Sequence, residues 1–442
     1  MNKVAVFGMG KSGVAAANFL AARGVAVVAT DASPAERLPL LASLDARVER
    51  RLGGHPPEVL EGAELVVLSP GIPADIAPLR EAAARGIPII SEIELAFRHL
   101  QGTVVAITGS NGKSTTTALI GEILRAAGRD PIVAGNIGDP LIAAVDPRPR
   151  TYVVELSSFQ LETVETFRAN VALLLNITPD HLDRYPSMEG YAAAKYRIFR
   201  NQTPDDVAVV NADDPRTSDP ETAARIRRFS SSREVEEGAF LRGDALVLRT
   251  GGRDSTIPRA ALALPGTANV ENALAAWLAA DALGIDAGAV RAAFSSFRGL
   301  PHRMVLVREL DGVRWINDSK GTNVDASFKS LEGMEDGRVI LILGGKDKKG
   351  EFERLRPLVG AKAKAVLTIG AAAARIGQAL EGAAPIVACE TMDRAVAWGR
   401  EHAAPGDTVL LSPACASFDQ YDNFEHRGRH FEELVAGLGE RR

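Results

Sequence analysis

Residues 108–117, TGSNGKSTTT, combine glycines and polar side chains at a spacing that suits phosphate chemistry. Lys113 is long enough to reach terminal phosphate oxygens, and the Ser114 hydroxyl is of a kind that ligates Mg²⁺. A helix beginning here would also point its first N–H groups and its positive dipole end at an anion. The stretch predicts a nucleotide-phosphate loop whose contacts are Gly109, Asn111, Gly112, Lys113, Ser114 and Thr115.

The elements on either side support that interpretation. A β-branched run at 103–107 precedes the loop, and an apolar helical pattern follows it until Gly128. The glycine spacing is unusual, because the GxxxxGK(S/T) pattern places a glycine at 107, where this chain has Ile107. The alternative is a turn whose Ser or Thr only caps a helix, which the flanking strand and helix disfavour.

Polar residues also follow the next two apolar runs of this region. Glu155 lies near the end of the run 151–156, and His181 follows the run 171–177 together with Asn176 and Asp180. Because parallel strands present their carboxyl ends at one edge, these groups are expected to meet the phosphate loop at a metal site. The alternatives are a strand-end salt bridge for Glu155 and a capping role for His181.

Lys195 is a less obvious candidate. It lies four residues after Tyr191 and four before Phe199, on the helix face expected to pack inward. Burial favours a neutral amine, which could react with CO₂ to form a carbamate, an anionic metal ligand. The pattern alone favours the alternative, a lysine whose stem covers apolar surface while its ammonium reaches water.

The N-terminal region carries a second glycine pattern. Gly8, Gly10 and Gly13 follow a short strand, and Asp31 ends the next strand. This is the fingerprint of a dinucleotide-type site, in which a helix N-terminus holds pyrophosphate and the carboxylate holds ribose hydroxyls. The Pro-Gly loop at Gly71 follows a third strand, at the same edge. A tight turn without a ligand is the alternative.

From residue 300 onward, short apolar strands alternate with helices again. Polar loops follow the strands at 317–323, 344–349 and 412–419, and the lysines at 346, 348 and 349 are either a solvated run or carboxylate ligands. Asn269 and Asn272, three apart on a preceding helix, could reach a nucleotide or cap that helix. Residues 211–265 suggest only an antiparallel segment.

These patterns predict an α/β protein of three Rossmann-like domains, the central one a P-loop ATPase-type parallel sheet. The expected domains are residues 1–95, which bind a nucleotide-linked ligand, 96–299, which bind ATP, and 300–442.

Composition limits the function classes. The 442 residues are 46% hydrophobic and 24% charged, with a net charge of −5 and no basic tract, so a nucleic-acid partner is not expected. No apolar run approaches the roughly 20 residues that span a bilayer. Cys389 and Cys415 are too few for a disulfide framework, which suggests core thiols in a reducing compartment. We expect a cytoplasmic monomer.

Six motifs together resemble the Mur ligase family, in order and over essentially the whole chain. They are TGSNGKSTTT (108–117), GNIG (135–138), ELSSFQL (155–161), NITPDHLD (176–183), WINDSK (315–320) and LSPACASFD (411–419). The form of the phosphate loop, with Gly109 in place of a glycine at 107, is that of this family. The motifs at 155 and 411 look like the branch that adds D-glutamate.

The resemblance implies ATP-dependent amide synthesis through an acyl phosphate, in the assembly of peptidoglycan precursors. The implied substrates are UDP-N-acetylmuramoyl-L-alanine and D-glutamate, with ATP and two Mg²⁺ ions. The first domain would then hold a UDP-sugar and not NAD, and the third would bind D-glutamate.

The resemblance also implies residue roles. Lys113 and Ser114 would bind phosphates, Ser114 and Glu155 a first Mg²⁺, and His181 and carbamylated Lys195 a second. ATP would contact Asn269, Asn272, Arg303 and Asp318. The UDP-substrate would contact Gly10, Lys11, Ser12, Asp31, Gly71 and Asn136. D-Glutamate would contact Thr322, Lys348, Ser417 and the backbone near Phe424.

One departure and three alternatives remain. Ala268 stands where many family members have histidine, which leaves a contact near the adenine in doubt. A folylpolyglutamate synthase-type ligase would lack the Rossmann-like domain in front. An NAD-dependent oxidoreductase would leave Lys113, Glu155 and His181 without a role. A binding protein could use the phosphate loop only as a switch.

Overall fold

Mostly apolar strands, many of them followed by a glycine turn or polar loop and then a helix, build three sheets. The computed structural model describes residues 2–182 and 184–439, so Asp183 of the fourth motif lies outside the described residues. The chain divides into two units, Met1–Ile177 with Glu189–Arg298, and Thr178–Met188 with Gly299–Arg442. The first unit contains two of the sheets and the second contains the third.

The N-terminal sheet has five parallel strands in the order β3-β2-β1-β4-β5. Its elements are β1 Lys3–Phe7, α1 Lys11–Ala21, β2 Ala26–Asp31, β3 Glu49–Leu52, β4 Leu65–Leu68, α2 Ala77–Ala84, β5 Ile89–Ser91 and α3 Glu92–Phe97. This strand order is that of a Rossmann half-fold, which opens a crevice at the carboxyl ends of β1 and β4.

The central sheet has nine strands in the order β14-β13-β12-β11-β10-β9-β6-β8-β7. Its elements are β6 Gly102–Thr108, α4 Lys113–Ala126, β7 Ile132–Gly135, β8 Arg150–Glu155, α5 Ser158–Leu161, β9 Val171–Leu174, α6 Met188–Tyr196, β10 Val207–Asn211, β11 Arg225–Ser230, β12 Gly238–Arg242, β13 Ala245–Thr250, β14 Arg253–Pro258, α7 Thr267–Ala282 and α8 Ala287–Ser296. Pairing is parallel from β7 to β12 and antiparallel from β12 to β14. The predicted antiparallel segment therefore extends this same sheet.

The sheet of the second unit has six strands in the order β15-β16-β20-β17-β18-β19. Its elements are β15 Val305–Leu310, β16 Val313–Asn317, α9 Val324–Glu332, β17 Val339–Gly344, α10 Arg356–Lys362, β18 Ala363–Ile369, α11 Ala373–Leu380, β19 Ile386–Glu390, α12 Met392–His402, β20 Thr408–Leu411 and α13 Phe424–Ala436. Only the β15–β16 pair is antiparallel.

Each sheet is covered by apolar side chains. In the central domain one cluster joins α4, α7 and α8 to the sheet, with Trp277 at 1% exposure. Separate clusters pack on the two faces of the third sheet. Cys389 and Cys415 are buried free thiols, as predicted. Within residues 2–182 and 184–439, no helix has both the length and the apolarity needed to cross a membrane.

Candidate functional site

The phosphate loop connects β6 to α4, as the sequence predicts. Gly112 is the N-cap of α4 with φ +86°, and a Cβ at this position would lie 2.3 Å from Asn272 Oδ1. Only glycine tolerates both the left-handed backbone and this close approach. Ser114 and Thr115 are buried in the first turn of α4, where the helix dipole favours an anion.

Two lysines donate to the backbone of this loop. Lys113 Nζ lies 2.8 Å from Gly109 O and 2.8 Å from Ser110 O. Lys195 Nζ, from α6, also lies 2.8 Å from Gly109 O, and it is 4.6 Å from the centre of the Tyr191 ring. The two ammonium groups therefore share one carbonyl acceptor.

Lys195 is 1% exposed, so its ammonium does not reach bulk water. The interpretation that the pattern alone favoured, a lysine extending into solvent, is wrong. Tyr191 and Phe199 are each 1% exposed, so the helix face was identified correctly. The periodicity predicted the helix face on which Lys195 lies. How deeply the side chain is buried depends on the loop that packs over it.

Glu155 ends β8 and is 1% exposed. Its Oε1 accepts a hydrogen bond from Asn136 Nδ2 at 2.8 Å. Its Oε2 is buried, and no donor among the described residues satisfies it. The alternative of a strand-end salt bridge is not formed within the described part of the chain. A buried carboxylate oxygen of this kind is costly unless it binds a donor or a cation.

The two asparagines of α7 have different surroundings. Asn272 accepts from Thr116 Oγ1 at 3.2 Å and lies against Gly112, so it contacts the phosphate loop directly. Asn269 Nδ2 donates to Pro265 O at 2.7 Å, while its Oδ1 accepts from Asn272 at 3.3 Å. Asn269 thus stabilises the start of its own helix and orients Asn272.

The N-terminal glycine turn is shaped by packing. A Cβ at Gly13 would lie 1.7 Å from Gly8 O, whereas a Cβ at Gly10 would contact nothing within 4 Å. Gly10 is the N-cap of α1, which starts at Lys11, with Ser12 in its first turn. Because helix α1 begins at Lys11, both Lys11 and Ser12 lie at its anion-attracting end.

Asp31 is part of the same turn. Its Oδ2 accepts from Met9 N at 2.7 Å and its Oδ1 from Ser33 N at 2.8 Å. The carboxylate therefore orders the glycine turn as well as marking the predicted ribose position. Gly71 is exposed on the loop after β4, and a Cβ there would meet nothing within 4 Å.

In the second unit, a narrow cleft brings together Thr322, Asn323, Lys348 and Asp180. Lys348 Nζ lies 3.2 Å from Asp180 Oδ1, and Asn323 Nδ2 donates to Asp180 Oδ2 at 3.0 Å. Two of the residues predicted to bind D-glutamate thus line one cleft. His181 has φ +57°, and its Nε2 lies 3.6 Å from Asp180 Oδ2.

Asp318 is enclosed by hydroxyl groups. Its Oδ2 accepts from Ser412 Oγ and from Ser330 Oγ, each at 2.7 Å. Burial raises the pKa of this carboxyl to about 6, against the opposing effects of the two serines and of the Arg303 charge. Arg303 is half-buried and close enough to act electrostatically on Asp318, so the two predicted ATP contacts belong to one group of residues.

Ser417 lies on the segment between β20 and α13, and Phe424 lies at the end of that segment, where α13 begins. Ser417 is 2% exposed, and Phe424 is the first residue of α13. The Phe424 carbonyl accepts from Ser319 Oγ at 2.9 Å, and Lys320 Nζ lies 3.8 Å from the centre of its ring. The backbone near Phe424 is therefore tied to the loop after β16.

The sequence predicts that Asn176 meets the phosphate loop, and in the structure it contacts Ser110 and Asn111 of that loop. One residue near the site was missed in the sequence. Arg427, 1% exposed on α13, donates to Ser319 O at 2.8 Å and Cys415 O at 3.1 Å, joining the loops after β16 and β20. Burial lowers its pKa to about 10. No sequence signal marks this arginine, since its neighbours on α13 are polar and charged.

Comparisons with known proteins cover all three sheets. Three family models match: "Mur ligase MurD-like, N-terminal domain" at residues 2–91, "Mur ligase middle domain" at 107–280, and "Mur ligase, glutamate ligase domain" at 302–415. The UDP-N-acetylmuramoylalanine–D-glutamate ligase of Acidobacterium capsulatum is 47% identical, over 98% of this chain and 96% of that protein. The ligase of the same name from Pelotomaculum thermopropionicum is 45% identical, over 99% and 98%.

Solved structures agree on the fold. The UDP-N-acetylmuramate–alanine ligase of Thermotoga maritima superimposes with a TM-score of 0.64 at 20% identity, over 99% of each chain. The resemblance carried by the six motifs and the three-domain α/β fold are both confirmed. On these matches, the chain belongs to the Mur ligase family.

Proposed function

We propose that this protein is an ATP-dependent ligase that joins D-glutamate to UDP-N-acetylmuramoyl-L-alanine during peptidoglycan precursor synthesis. The observation that carries the proposal is the identity of 47% with a ligase of that name over nearly the whole of both chains. The ranges matched by the Mur family models include the phosphate loop and Lys348. The match of residues 2–91 to a Mur N-terminal domain favours neither the folylpolyglutamate-type nor the NAD-dependent alternative.

The chemistry has two steps. An oxygen of the substrate carboxylate attacks the γ-phosphorus of ATP, which releases ADP and forms an acyl phosphate. The amine of D-glutamate then attacks the acyl carbon, loses a proton, and expels inorganic phosphate as the amide forms. Such reactions depend on positioning and charge neutralisation more than on a protein nucleophile. Lys113, at the start of α4, would neutralise the transferred phosphoryl group.

The residues present fit a Mg²⁺ ion. The buried Glu155 Oε2, which no donor satisfies among the described residues, is a suitable anionic oxygen ligand near the Ser114 loop. Within the same described residues, no group of three or more His, Cys, Asp or Glu side chains could hold a metal. Mg²⁺ sites of kinases and ATPases typically use one or two protein ligands with substrate phosphates and water. We assign Ser114 and Glu155 to one ion, which would neutralise phosphate charge.

Carbamylation of Lys195 is supported by its surroundings. Two ammonium groups that share the Gly109 carbonyl repel one another, and Lys195 is buried against an aromatic ring. Reaction of the neutral amine with CO₂ releases one proton and leaves a carbamate, so the Lys113–Lys195 pair becomes attractive. We assign the carbamate, together with His181, to a second Mg²⁺.

The remaining contacts follow the placement of the residues. The UDP-substrate would take the N-terminus of α1, the Asp31 turn, Gly71 and Asn136. ATP would also contact Asn269, Asn272, Arg303 and Asp318. D-Glutamate would take the cleft around Thr322 and Lys348, with Ser417 and Phe424. The protein would act as a cytoplasmic monomer.

The direct test is phosphate release by the purified full-length chain. Release should require ATP, Mg²⁺, UDP-N-acetylmuramoyl-L-alanine and D-glutamate together, and mass spectrometry should show the amide product. Phosphate release that continues without D-glutamate or without the UDP-substrate would indicate a nucleotide switch and would refute the proposal.

A further inference from the structure

Asn176 holds the first half of the phosphate loop through three hydrogen bonds. It lies two residues beyond β9 and is 8% exposed. Its carbonyl accepts from Ser110 N at 2.9 Å, and its side-chain Oδ1 accepts from Asn111 N at 2.8 Å. Its Nδ2 in turn donates to Asn111 O at 3.1 Å. The side chain thus pairs with both the backbone N–H and the backbone C=O of Asn111.

This arrangement extends the β6–β9 ladder into the loop. Leu175 N donates to Thr108 O at 3.0 Å, one step before the contacts of Asn176. The carboxamide then takes the place of a further peptide group, offering an acceptor and a donor at peptide-like spacing. Aspartate has the same length but lacks the donor, and glutamine is one methylene longer.

Asn176 is itself held in place. The next residue, Ile177, donates its N–H to Asp214 Oδ2 at 2.7 Å. The backbone on the other side is paired with β6. We call Asn176, with its hydrogen bonds to Ser110 and Asn111, the clamp. Its backbone is fixed on both sides, which is the condition for one residue to fix the conformation of another.

The lysines contact Ser110, which Asn176 holds directly, and Gly109, the residue just before it. Lys113 donates to the carbonyls of Gly109 and Ser110, and Lys195 donates to Gly109. A shift of this segment would move both ammonium groups together. Displacements near 1 Å at a positioning group can reduce a rate by about 100-fold.

We propose that Asn176 is a positioning residue that fixes the phosphate loop and thereby orients Lys113 and Lys195 for phosphoryl transfer. It acts through the loop and not by contact with the reacting atoms. The inference rests on the proposed ligase function for its catalytic readout, whereas its nucleotide-binding readout needs only an ATP site.

Asn211 is a matched control. It is 4% exposed and ends β10, the neighbouring strand of the same sheet. Its Nδ2 donates to Leu175 O at 3.1 Å, and its Oδ1 accepts from Asp213 N at 2.8 Å. Replacing it removes an equally buried amide whose side-chain bonds go to Leu175 and Asp213, outside the loop.

The experiment compares Asn176→Ala, Asn176→Asp and Asn211→Ala with the parent protein. For each we would measure the melting temperature, the Kd of a fluorescent ATP analogue, and kcat with KM for ATP and D-glutamate. We expect both Asn176 variants to lose about 10- to 100-fold in kcat/KM for ATP, with the KM for D-glutamate within about twofold. Asn211→Ala should keep its ATP parameters within about twofold even where its melting temperature falls.

Asn176→Asp keeps the side-chain volume and the acceptor, so it tests the clamp if Asn176→Ala does not fold. ATP parameters within twofold of the parent in Asn176→Asp would overturn the inference. So would equal losses in Asn211→Ala at the same drop in melting temperature. A parent protein that binds the ATP analogue but ligates nothing would refute the ligase function alone, because the analogue's Kd would still report the clamp.

Discussion

Lys195 combines a formal charge with nearly complete burial. An ammonium group removed from water is costly unless strong partners replace its hydration, and the partners of Lys195 include the Gly109 carbonyl and the face of the Tyr191 ring. The sequence predicted the inward face from the spacing of Tyr191 and Phe199. It could not predict the depth, since the loop that covers Lys195 comes from residue 109, far away in the chain.

Lys195→Ala should abolish ligation, because it removes the group that would form the anionic carbamate. Acetate or another small carboxylate should restore part of the activity by occupying the space that the carbamate would fill. Lys195→Arg, which keeps the positive charge but forms no carbamate, should be inactive with and without acetate. Full activity of Lys195→Arg in the phosphate-release assay would contradict the carbamate assignment.

Lys113→Ala should lower kcat by at least about 1,000-fold, because it removes the cation that would neutralise the transferred phosphoryl group. Arg125→Ala is a suitable control: this exposed cation lies on the same helix and pairs with Glu122. It should retain kcat within about twofold. Single-turnover formation of ADP would measure both, and substantial turnover by Lys113→Ala would exclude the phosphate role.

Lys348→Ala should raise the KM for D-glutamate by about tenfold or more while leaving the KM for ATP nearly unchanged. The lost cation lies in the cleft with Thr322 and would leave the Asp180 carboxylate to repel an anionic substrate. Lys346→Ala, at an exposed lysine of the same loop, is the control. An unaltered KM for D-glutamate in Lys348→Ala would remove this lysine from the binding cleft.

At the scale of elements, helix α3 contains an unusual carboxyl group. Glu92 lies in its first turn and is 1% exposed, with Oε1 accepting from Ile142 N at 2.6 Å. Ile142 belongs to the 3-10 helix Leu141–Ala144, which follows the Asn136 loop. Oε2 finds no donor among the described residues, and burial raises the pKa of Glu92 from 4.5 to about 7.

This group should make stability fall with rising pH. The folded protein binds the Glu92 proton more tightly than the unfolded chain, so the contribution is fully present below pH 4.5 and is lost as pH rises through 7. The loss in the free energy of unfolding is about 3 kcal/mol at most. As the pH rises from 5 to 8, the melting temperature of Glu92→Gln should therefore rise relative to that of the parent. Glu122→Gln, at a side chain that is 43% exposed, should show no such rise. Parallel profiles for the parent and Glu92→Gln would refute the burial argument.

Element positions were more predictable than element contacts. Hydrophobic periodicity and glycines located the strands and the loops after them, because both are local properties of the chain. The clamp between Asn176 and Asn111 and the contacts of Arg427 were not predictable. They depend on which strands are neighbours and on which loops a helix covers.

At the scale of the whole molecule, alternation of strands and helices predicted the fold class, while the motifs identified the family. Strand order was not available from the sequence, and neither was the extension of the central sheet by β12–β14. The domain boundaries at 95 and 299 stay a prediction. The segment Thr178–Met188, which carries His181, belongs to the same unit as Gly299–Arg442, an association that no contiguous division of the sequence would give.

The amino-acid specificity of phosphate release decides whether this protein is a D-glutamate ligase. With ATP and UDP-N-acetylmuramoyl-L-alanine present, the protein should release phosphate with D-glutamate at a rate far above those with L-glutamate, L-alanine or diaminopimelate. A preference for any of the other three, or equal rates with all four, would contradict the assignment as a D-glutamate ligase.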